Sequence, residues 1–204
     1  MPGRNILKQD VPGGFYHIYS RGVDKRQIFL EPKDYTVFLN LLKRYLSVEP
    51  QKNINGVLYP HIFGKLELLA FCLLSNHLHL LIYQNEIGAM QRLMRGVLTS
   101  YSKYFNKTYH RRGPLFESRY KASLISDQSY LEHISRYIHL NPKAWRNYLY
   151  SSLPYFLGEY NSEWIMPGKI LQIFDSSSEY LSFLEDHEDY KRMLDDIKHE
   201  LAES

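Results

Sequence analysis

Residues 66–83, LELLAFCLLSNHLHLLIY, predict the centre of the fold. Two apolar runs, 66–74 and 78–83, are separated by the polar pair Ser75 and Asn76. Strands are commonly bounded by residues such as Ser and Asn, so we expect the two runs to be neighbouring antiparallel strands. The other elements can be placed relative to this hairpin.

The segments on either side of the hairpin alternate between strand and helix patterns. On the amino-terminal side, an aromatic and β-branched run predicts a strand over 15–19, and apolar residues spaced by three and four predict a helix over 34–46. On the carboxyl-terminal side, the same spacing predicts a helix over 86–109, and a strand follows over 119–125. The order β-α-β-β-α-β predicts an α+β, ferredoxin-like antiparallel sheet with both helices on one face.

A third helix is predicted over 127–140, with Asp127 as its N-cap and Pro142 just after its end. We expect this helix to cover the sheet face that the first two helices leave open. Residues 147–204 are expected to form an aromatic linker and an acidic helical extension, with one or two amphipathic helices from Glu179 onward.

Composition and charge limit the classes of function. The chain of 204 residues has 44% hydrophobic residues and one cysteine, which excludes an internal disulfide and a thiolate metal cluster. Residues 1–174 carry 22 Lys and Arg against 12 Asp and Glu, whereas residues 175–204 carry 3 against 10. A basic body suits a polyphosphate partner, although ordinary solubilising charge explains the count equally well. The acidic end is interpreted either as a solvated helix pair or as a shield for the basic body.

No apolar run approaches the roughly 18 residues that a membrane span requires, and the first residues lack the apolar core of a signal peptide. We therefore expect a cytoplasmic protein with no membrane partner.

His77 and His79 stand two residues apart in the second strand of the hairpin, so both imidazoles are expected on one sheet face. Two neutral imidazoles side by side need partners for their ring nitrogens, and a shared metal ion would satisfy both. Two surface histidines on an open sheet face are the alternative. Tyr137 and Asn141 lie four residues apart in the third helix and share one helical face. If this helix packs on the histidine face, Asn141 can offer the metal an oxygen, and Tyr137 stands one turn away.

Four ordered motifs between about residues 11 and 146 resemble the HUH single-tyrosine transposases, in particular the REP-associated tyrosine transposases related to insertion-sequence enzymes. The motifs are Tyr16-His17-Ile18 with Ser20-Arg21-Gly22, then Asn76-His77-Leu78-His79, then Gly113-Pro114-Leu115-Phe116 with Arg119-Tyr120, and Tyr137-Ile138-His139-Leu140-Asn141-Pro142. Leu74-Ser75 stands where the family more often has Met-Pro, and the acidic extension has no counterpart in the family pattern.

The resemblance implies a catalytic domain over 1–146 and an extension over 147–204. It also implies that His77, His79 and Asn141 bind a divalent cation and that Tyr137 is the catalytic nucleophile, forming a 5′-phosphotyrosine intermediate. Two imidazoles and one oxygen suit Mn²⁺, and Mg²⁺ is plausible at cellular abundance. The implied partner is single-stranded DNA with a hairpin. The protein is expected to be a monomer or a homodimer, and the long segment after Asn141 favours the monomer.

Basic side chains in two segments are the predicted DNA contacts. Arg21, Lys25 and Arg26 follow the first strand, and the second group is Lys103, Lys107, Arg111, Arg112, Arg119 and Lys121. Tyr109, Phe116 and Tyr120 are interleaved with the second group and could stack on unpaired bases.

The main alternative to a DNA strand transferase is a non-catalytic DNA-hairpin-binding or regulatory protein that retains the fold. A third interpretation is an ordinary metal hydrolase that uses His77 and His79 without a covalent intermediate.

Overall fold

The computed structural model describes residues 10–186 of the chain. Its centre is a four-stranded sheet in the order β2-β3-β1-β4, in which every neighbouring pair is antiparallel. The strands are β1 (Gly14–Arg21), β2 (Leu66–Leu74), β3 (His77–Gln84) and β4 (Lys121–Ile125). This order and the helices between the strands confirm the predicted ferredoxin-like α+β fold.

Two helices, α1 (Pro32–Leu46) and α2 (Ala89–Thr108), cover one face of the sheet. Their apolar sides enclose the inward-facing strand residues, of which Ile18, Leu80 and Ile82 are fully buried. Both crossover helices therefore lie on one face, and the other face remains for the elements that follow β4.

Several predicted boundaries differ from the structure, and two of these differences have a clear local reason. Helix α2 begins at Ala89 rather than at residue 86, because Gly88 adopts a left-handed φ of 80° immediately before it. Strand β4 begins at Lys121 rather than at residue 119, since the preceding loop pairs with the turn after β1. In that loop, the Glu117 N–H donates to the Arg21 carbonyl oxygen at 3.0 Å.

The third helix, α3 (Gln128–Leu140), packs on the second face of the sheet, as predicted. The Asp127 carboxylate accepts a hydrogen bond from the Tyr130 N–H at 3.0 Å, which confirms the predicted N-cap. Ile134 and Ile138 of α3 are fully buried against the sheet. This contact places the carboxyl-terminal end of α3 over β3.

The segment after α3 extends the same core. It contains α4 (Leu153–Phe156), α5 (Gly168–Leu171) and α6 (Ser177–Glu185). Phe156 and Tyr180 are fully buried in the cluster that includes α3 and β2. The predicted acidic helical extension is represented by α6, and its continuation over 187–204 lies outside the described residues. No helix among residues 10–186 combines the length and apolar character that crossing a membrane requires.

Candidate metal and nucleophile site

His77 and His79 occupy the sheet face covered by α3, while Leu78 and Leu80 between and after them enter the core beneath α1 and α2. This division follows from the two-residue period of β3. The two imidazole centroids are 5.0 Å apart. His79 is fully buried, and His77 is half-buried at the start of the strand.

Tyr137 and Asn141 of the α3 segment lie over these two histidines. Oδ1 of Asn141 is 3.3 Å from Nε2 of His77. The Tyr137 ring meets the His79 ring edge to face, with 5.3 Å between centroids. All four residues predicted from the sequence for metal binding and nucleophilic attack are thus in one cluster.

The pKa values at this cluster reflect its burial. Burial lowers the pKa of His77 to about 4, with the positive charge of Arg21 acting in the same direction. Burial also holds the pKa of His79 well below its usual value. Both rings are therefore neutral at pH 7, which is the form that binds a metal.

Burial raises the pKa of the Tyr137 phenol, and two neighbours act against that rise. A side-chain hydrogen bond with Asn141 and the charge of Arg21 both lower the pKa. A hydrogen bond that lowers a phenol pKa is one in which the amide group donates to the oxygen. Asn141 therefore acts on both residues, with its Oδ1 facing His77 and its side chain lowering the pKa of Tyr137.

Two residues of β1 complete the cluster, and we did not assign them to the site from the sequence. Nε2 of His17 is 2.9 Å from Nδ1 of His79, and both rings are buried. The Tyr19 ring stacks on His79 at 5.3 Å between centroids. The available signal was the two-residue spacing of His17, Tyr19 and Arg21, which places all three on the face of the histidine pair.

The free electron pairs of the cluster fit a cation. Nε2 of His79 is buried and has no hydrogen-bond partner among the described residues. Nδ1 of His77 lies 2.6 Å from Oδ1 of Asn76, an acceptor, so the His77 proton belongs on Nδ1 and Nε2 carries a free electron pair. That Nε2 faces Oδ1 of Asn141, which is also an acceptor, so no hydrogen lies between the two atoms. A cation bound by both atoms would remove this unfavourable contact between two acceptors.

The donor set is limited to two imidazoles and an amide. Within residues 10–186, no group of three or more His, Cys, Asp and Glu side chains is suited to a metal. The residues present therefore fit a divalent cation only if Asn141 supplies an oxygen.

The predicted DNA contacts separate into three positions. Arg21 and Lys121 border the cluster: the Arg21 guanidinium carbon and the Lys121 Nζ lie 5.3 and 5.8 Å from the centroid of the Tyr19 ring. Lys25 and Arg26 lie in the turn after β1, where Arg26 forms an ion pair with Asp24 at 3.2 Å. The others follow the carboxyl-terminal half of α2 and the loop after it; they are Lys103, Lys107, Arg111, Arg112 and Arg119.

A groove of about 420 Å³ runs beside this third group and is lined by Lys103, Asn106 and Arg119. The aromatic residues nearby are less available than the sequence suggested. Phe116 and Tyr120 are each 8% exposed and belong to the core. The half-buried Tyr109 uses its hydroxyl to donate to Asp34 at 2.9 Å.

Comparisons with known proteins agree with the resemblance found in the motifs. The family model described as "Transposase IS200 like" matches residues 63–141, a span that includes all four predicted metal and nucleophile residues. A solved structure of a REP-associated tyrosine transposase bound to a REP hairpin aligns with a TM-score of 0.51 and 15% identity. That alignment covers 78% of this chain and 90% of the other. No curated protein matches the sequence. The likeness to the solved structure shows the fold, and the family match over residues 63–141 agrees with the resemblance carried by the motifs.

Proposed function

We propose that this chain is a metal-dependent endonuclease and strand transferase that acts on hairpin-bearing single-stranded DNA. The observation that carries the proposal is the position of α3. It holds a phenol 5.3 Å, between ring centroids, from the His79 imidazole and an amide oxygen 3.3 Å from the His77 imidazole. A nucleophile and a cation site on one helix face can act on the same phosphodiester.

Tyr137 is the proposed nucleophile. Its phenol gives up its proton as the oxygen attacks phosphorus, the bond from phosphorus to the 3′ oxygen breaks, and the departing 3′ oxygen takes up a proton to become a hydroxyl. The products are a 5′-phosphotyrosine and a free 3′ end. A second 3′-hydroxyl can then attack the same phosphorus and release the Tyr137 phenol. Because the phosphodiester energy is kept in the protein–DNA bond, rejoining needs no ATP.

His77, His79 and Asn141 would hold the cation. When bound, a divalent cation withdraws charge from phosphate oxygens and stabilises the charge that develops in the transition state. Two neutral imidazole nitrogens and an amide oxygen, with further positions open, suit Mn²⁺ or Mg²⁺.

Arg21 is proposed to stabilise negative charge at the same place. A phenol with a pKa near 10 is ionised in about one molecule in a thousand at pH 7, a cost of about 4 kcal/mol, and burial raises the Tyr137 pKa further. The charge of Arg21 acts against that rise, and its Nε is buried without a hydrogen-bond partner within residues 10–186. This unsatisfied donor is suited to a phosphate oxygen.

The DNA is proposed to reach the site along the basic groove. Lys103 and Arg119 line the groove, and Lys121 of β4 is paired with Tyr19 of β1. Cations in this row would bind phosphates and position the strand, while the bases read by the protein are set by other contacts.

We also propose that one chain carries a complete site. The histidines and α3 belong to the same chain, and α3 packs on β2 and β3 of its own sheet. A monomer on size-exclusion chromatography that forms the covalent adduct would support this proposal. A requirement for a homodimer would contradict it.

The test of the proposed function is trapping of the covalent intermediate. Wild-type protein is incubated with Mn²⁺ and a pool of 3′-labelled hairpin oligonucleotides with randomised single-stranded flanks, then resolved under denaturing conditions. We expect labelled protein for the wild type and none for Tyr137→Phe. Tyr130→Phe is the matched control, because it removes a hydroxyl from the same helix that has no hydrogen-bond partner within residues 10–186.

Absence of adduct in the wild type would overturn the proposed function, as would an adduct that persists in Tyr137→Phe. Retained hairpin binding without any adduct would favour a non-catalytic hairpin-binding protein. Cleavage without a labelled protein band would instead indicate a metal hydrolase.

A further inference from the structure

We propose that His17 and Asn76 are positioning residues that fix the ring protons of His79 and His77, so that each candidate ligand presents an unprotonated Nε2 to the cation. This role rests on the proposed function of the site. Neither residue belongs to the proposed ligand set. His17 contacts Nδ1 of His79, and Asn76 contacts Nδ1 of His77.

The argument for Asn76 begins with a main-chain carbonyl group. The Asn76 Nδ2 donates to the carbonyl oxygen of Lys25 at 3.2 Å, which turns its Oδ1 towards His77 at 2.6 Å from Nδ1. An amide oxygen only accepts, so the His77 hydrogen must be on Nδ1. A neutral imidazole has a single ring hydrogen, and Nε2 of His77 is left with a free electron pair.

The turn that supplies this carbonyl group has an unusual backbone. Asp24 and Lys25 both lie in the left-handed region, with φ of 55° and 57°. This conformation is energetically unfavourable for non-glycine residues, and two such residues in succession indicate that the turn has a structural or functional role. The observed hydrogen bonds support one such role: the turn holds the Asn76 side chain in place, and Asn76 in turn holds the His77 ring.

The argument for His17 rests on the open nitrogen of His79. Nε2 of His17 and Nδ1 of His79 share one hydrogen across 2.9 Å. If His17 donated, His79 would carry its hydrogen on the buried Nε2, where no described group can accept it. A buried donor without an acceptor costs about 1–3 kcal/mol. If His79 donates to His17, Nε2 instead carries an electron pair, and a cation can satisfy it.

Packing alone is the competing explanation for His17. Its ring lies nearly parallel to that of His79, with 5.1 Å between centroids, and is roughly perpendicular to the Tyr137 ring, with 6.0 Å between centroids. His17→Phe keeps a ring at this position and removes the acceptor, whereas His17→Gln restores an acceptor near the position of Nε2. The two variants therefore separate packing from proton placement.

The first experiment is ¹⁵N NMR of the imidazole nitrogens in the metal-free full chain, because protonated and unprotonated ring nitrogens have different ¹⁵N chemical shifts. We expect His77 and His79 to be protonated on Nδ1 in the wild type. In His17→Phe, His79 is expected to lose this preference. A wild-type His79 or His77 protonated on Nε2 would overturn the inference for that histidine, and this readout needs neither metal nor DNA.

The second experiment is titration of the full-length variants with Mn²⁺ alone, with free Mn²⁺ followed by electron paramagnetic resonance. Loss of a partner that orients a metal-bound histidine typically weakens affinity about 10–100-fold, so this loss is expected for His17→Phe and Asn76→Leu. We expect His17→Gln and Asn76→Asp to bind within about threefold of the wild type or more tightly, because both restore an acceptor. His61→Phe is the matched control, since His61 is half-buried near Phe63 and Ser47, away from the site.

Unchanged Mn²⁺ affinity in folded His17→Phe and Asn76→Leu would contradict the inference while leaving the strand-transfer proposal intact. Conversely, a wild type that shows the expected ring protons but never forms a DNA adduct would overturn the proposed reaction only.

Discussion

The hydroxyl oxygen of Tyr180 lies 2.7 Å from Nδ1 of His139, although the two residues are 41 positions apart in the chain. The other ring nitrogen of His139 is 2.8 Å from Oγ of Ser152, which in turn accepts the Phe71 N–H of β2 at 2.8 Å. All three side chains in this network are fully buried. The network therefore joins α3, which carries Tyr137, to the central sheet and to the segment that follows it.

Tyr180→Phe is expected to lower the free energy of unfolding. The change removes one hydroxyl from the buried network and leaves a nitrogen of His139 without its partner, a loss of about 1–3 kcal/mol. Urea unfolding measures the difference. Tyr160→Phe is the matched control, because Tyr160 is 59% exposed and its hydroxyl should contribute little. Equal stability of the two variants would show that the network does not hold α3.

Asn141→Leu is expected to weaken Mn²⁺ binding strongly, because it removes the only proposed oxygen ligand and leaves two imidazoles. Asn141→Asp is expected to bind at least as tightly as the wild type, since a carboxylate is a better ligand than an amide for such cations. Isothermal titration calorimetry measures both affinities. Asn147→Leu is the control in the same segment, where the side chain is exposed. Wild-type affinity in Asn141→Leu would remove Asn141 from the ligand set.

Much of this site could be predicted from local sequence patterns. The two-residue period of β3 and the four-residue spacing of Tyr137 and Asn141 are properties of single elements, so they placed four side chains correctly on two faces. The contact of His17 with His79 joins residues 62 positions apart on neighbouring strands. That contact depends on the strand register, in which Tyr19 is opposite His79, and periodicity within a strand does not determine register.

The position of the segment after α3 was less predictable for a related reason. His139 lies within the motif over 137–142, and the structure shows it buried between Tyr180 and Ser152. The residues next to His139 in sequence do not predict these partners, because Tyr180 belongs to α6 and Ser152 immediately precedes α4. Long-range packing of an irregular segment therefore had to be observed.

The salt dependence of DNA binding should report the basic group after α2. Lys107→Gln combined with Arg112→Gln removes two exposed cations. For single strands each phosphate contact contributes about −0.7 to the slope of log affinity against log salt concentration. Loss of two contacts should therefore make the slope less steep by about 1.4. Fluorescence anisotropy with a labelled hairpin oligonucleotide measures it. The control is Lys33→Gln with Lys52→Gln, both exposed and outside the predicted contacts. An unchanged slope in the Lys107 and Arg112 double variant would show that the DNA phosphates do not contact these two side chains.

Gly96 and Tyr45 define how closely α2 approaches α1. A Cβ at Gly96 would overlap the hydroxyl and ring carbons of Tyr45, which is 6% exposed. Alanine gains about 1 kcal/mol over glycine within a helix, but forcing a methyl group into a packed interface costs about 1–3 kcal/mol. Gly96→Ala is therefore expected to destabilise the wild type, as measured by the midpoint of urea unfolding.

The same substitution is expected to have the opposite effect on the free energy of unfolding when Tyr45 is replaced by a shorter side chain. In a Tyr45→Leu background the overlapping atoms are absent, so the helix propensity of alanine should dominate and Gly96→Ala should stabilise by up to about 1 kcal/mol. The double-mutant cycle isolates the contact, because each single change is measured against its own background. If Gly96→Ala destabilises equally with Tyr45 and with Leu at position 45, the close approach of the two helices does not explain the glycine.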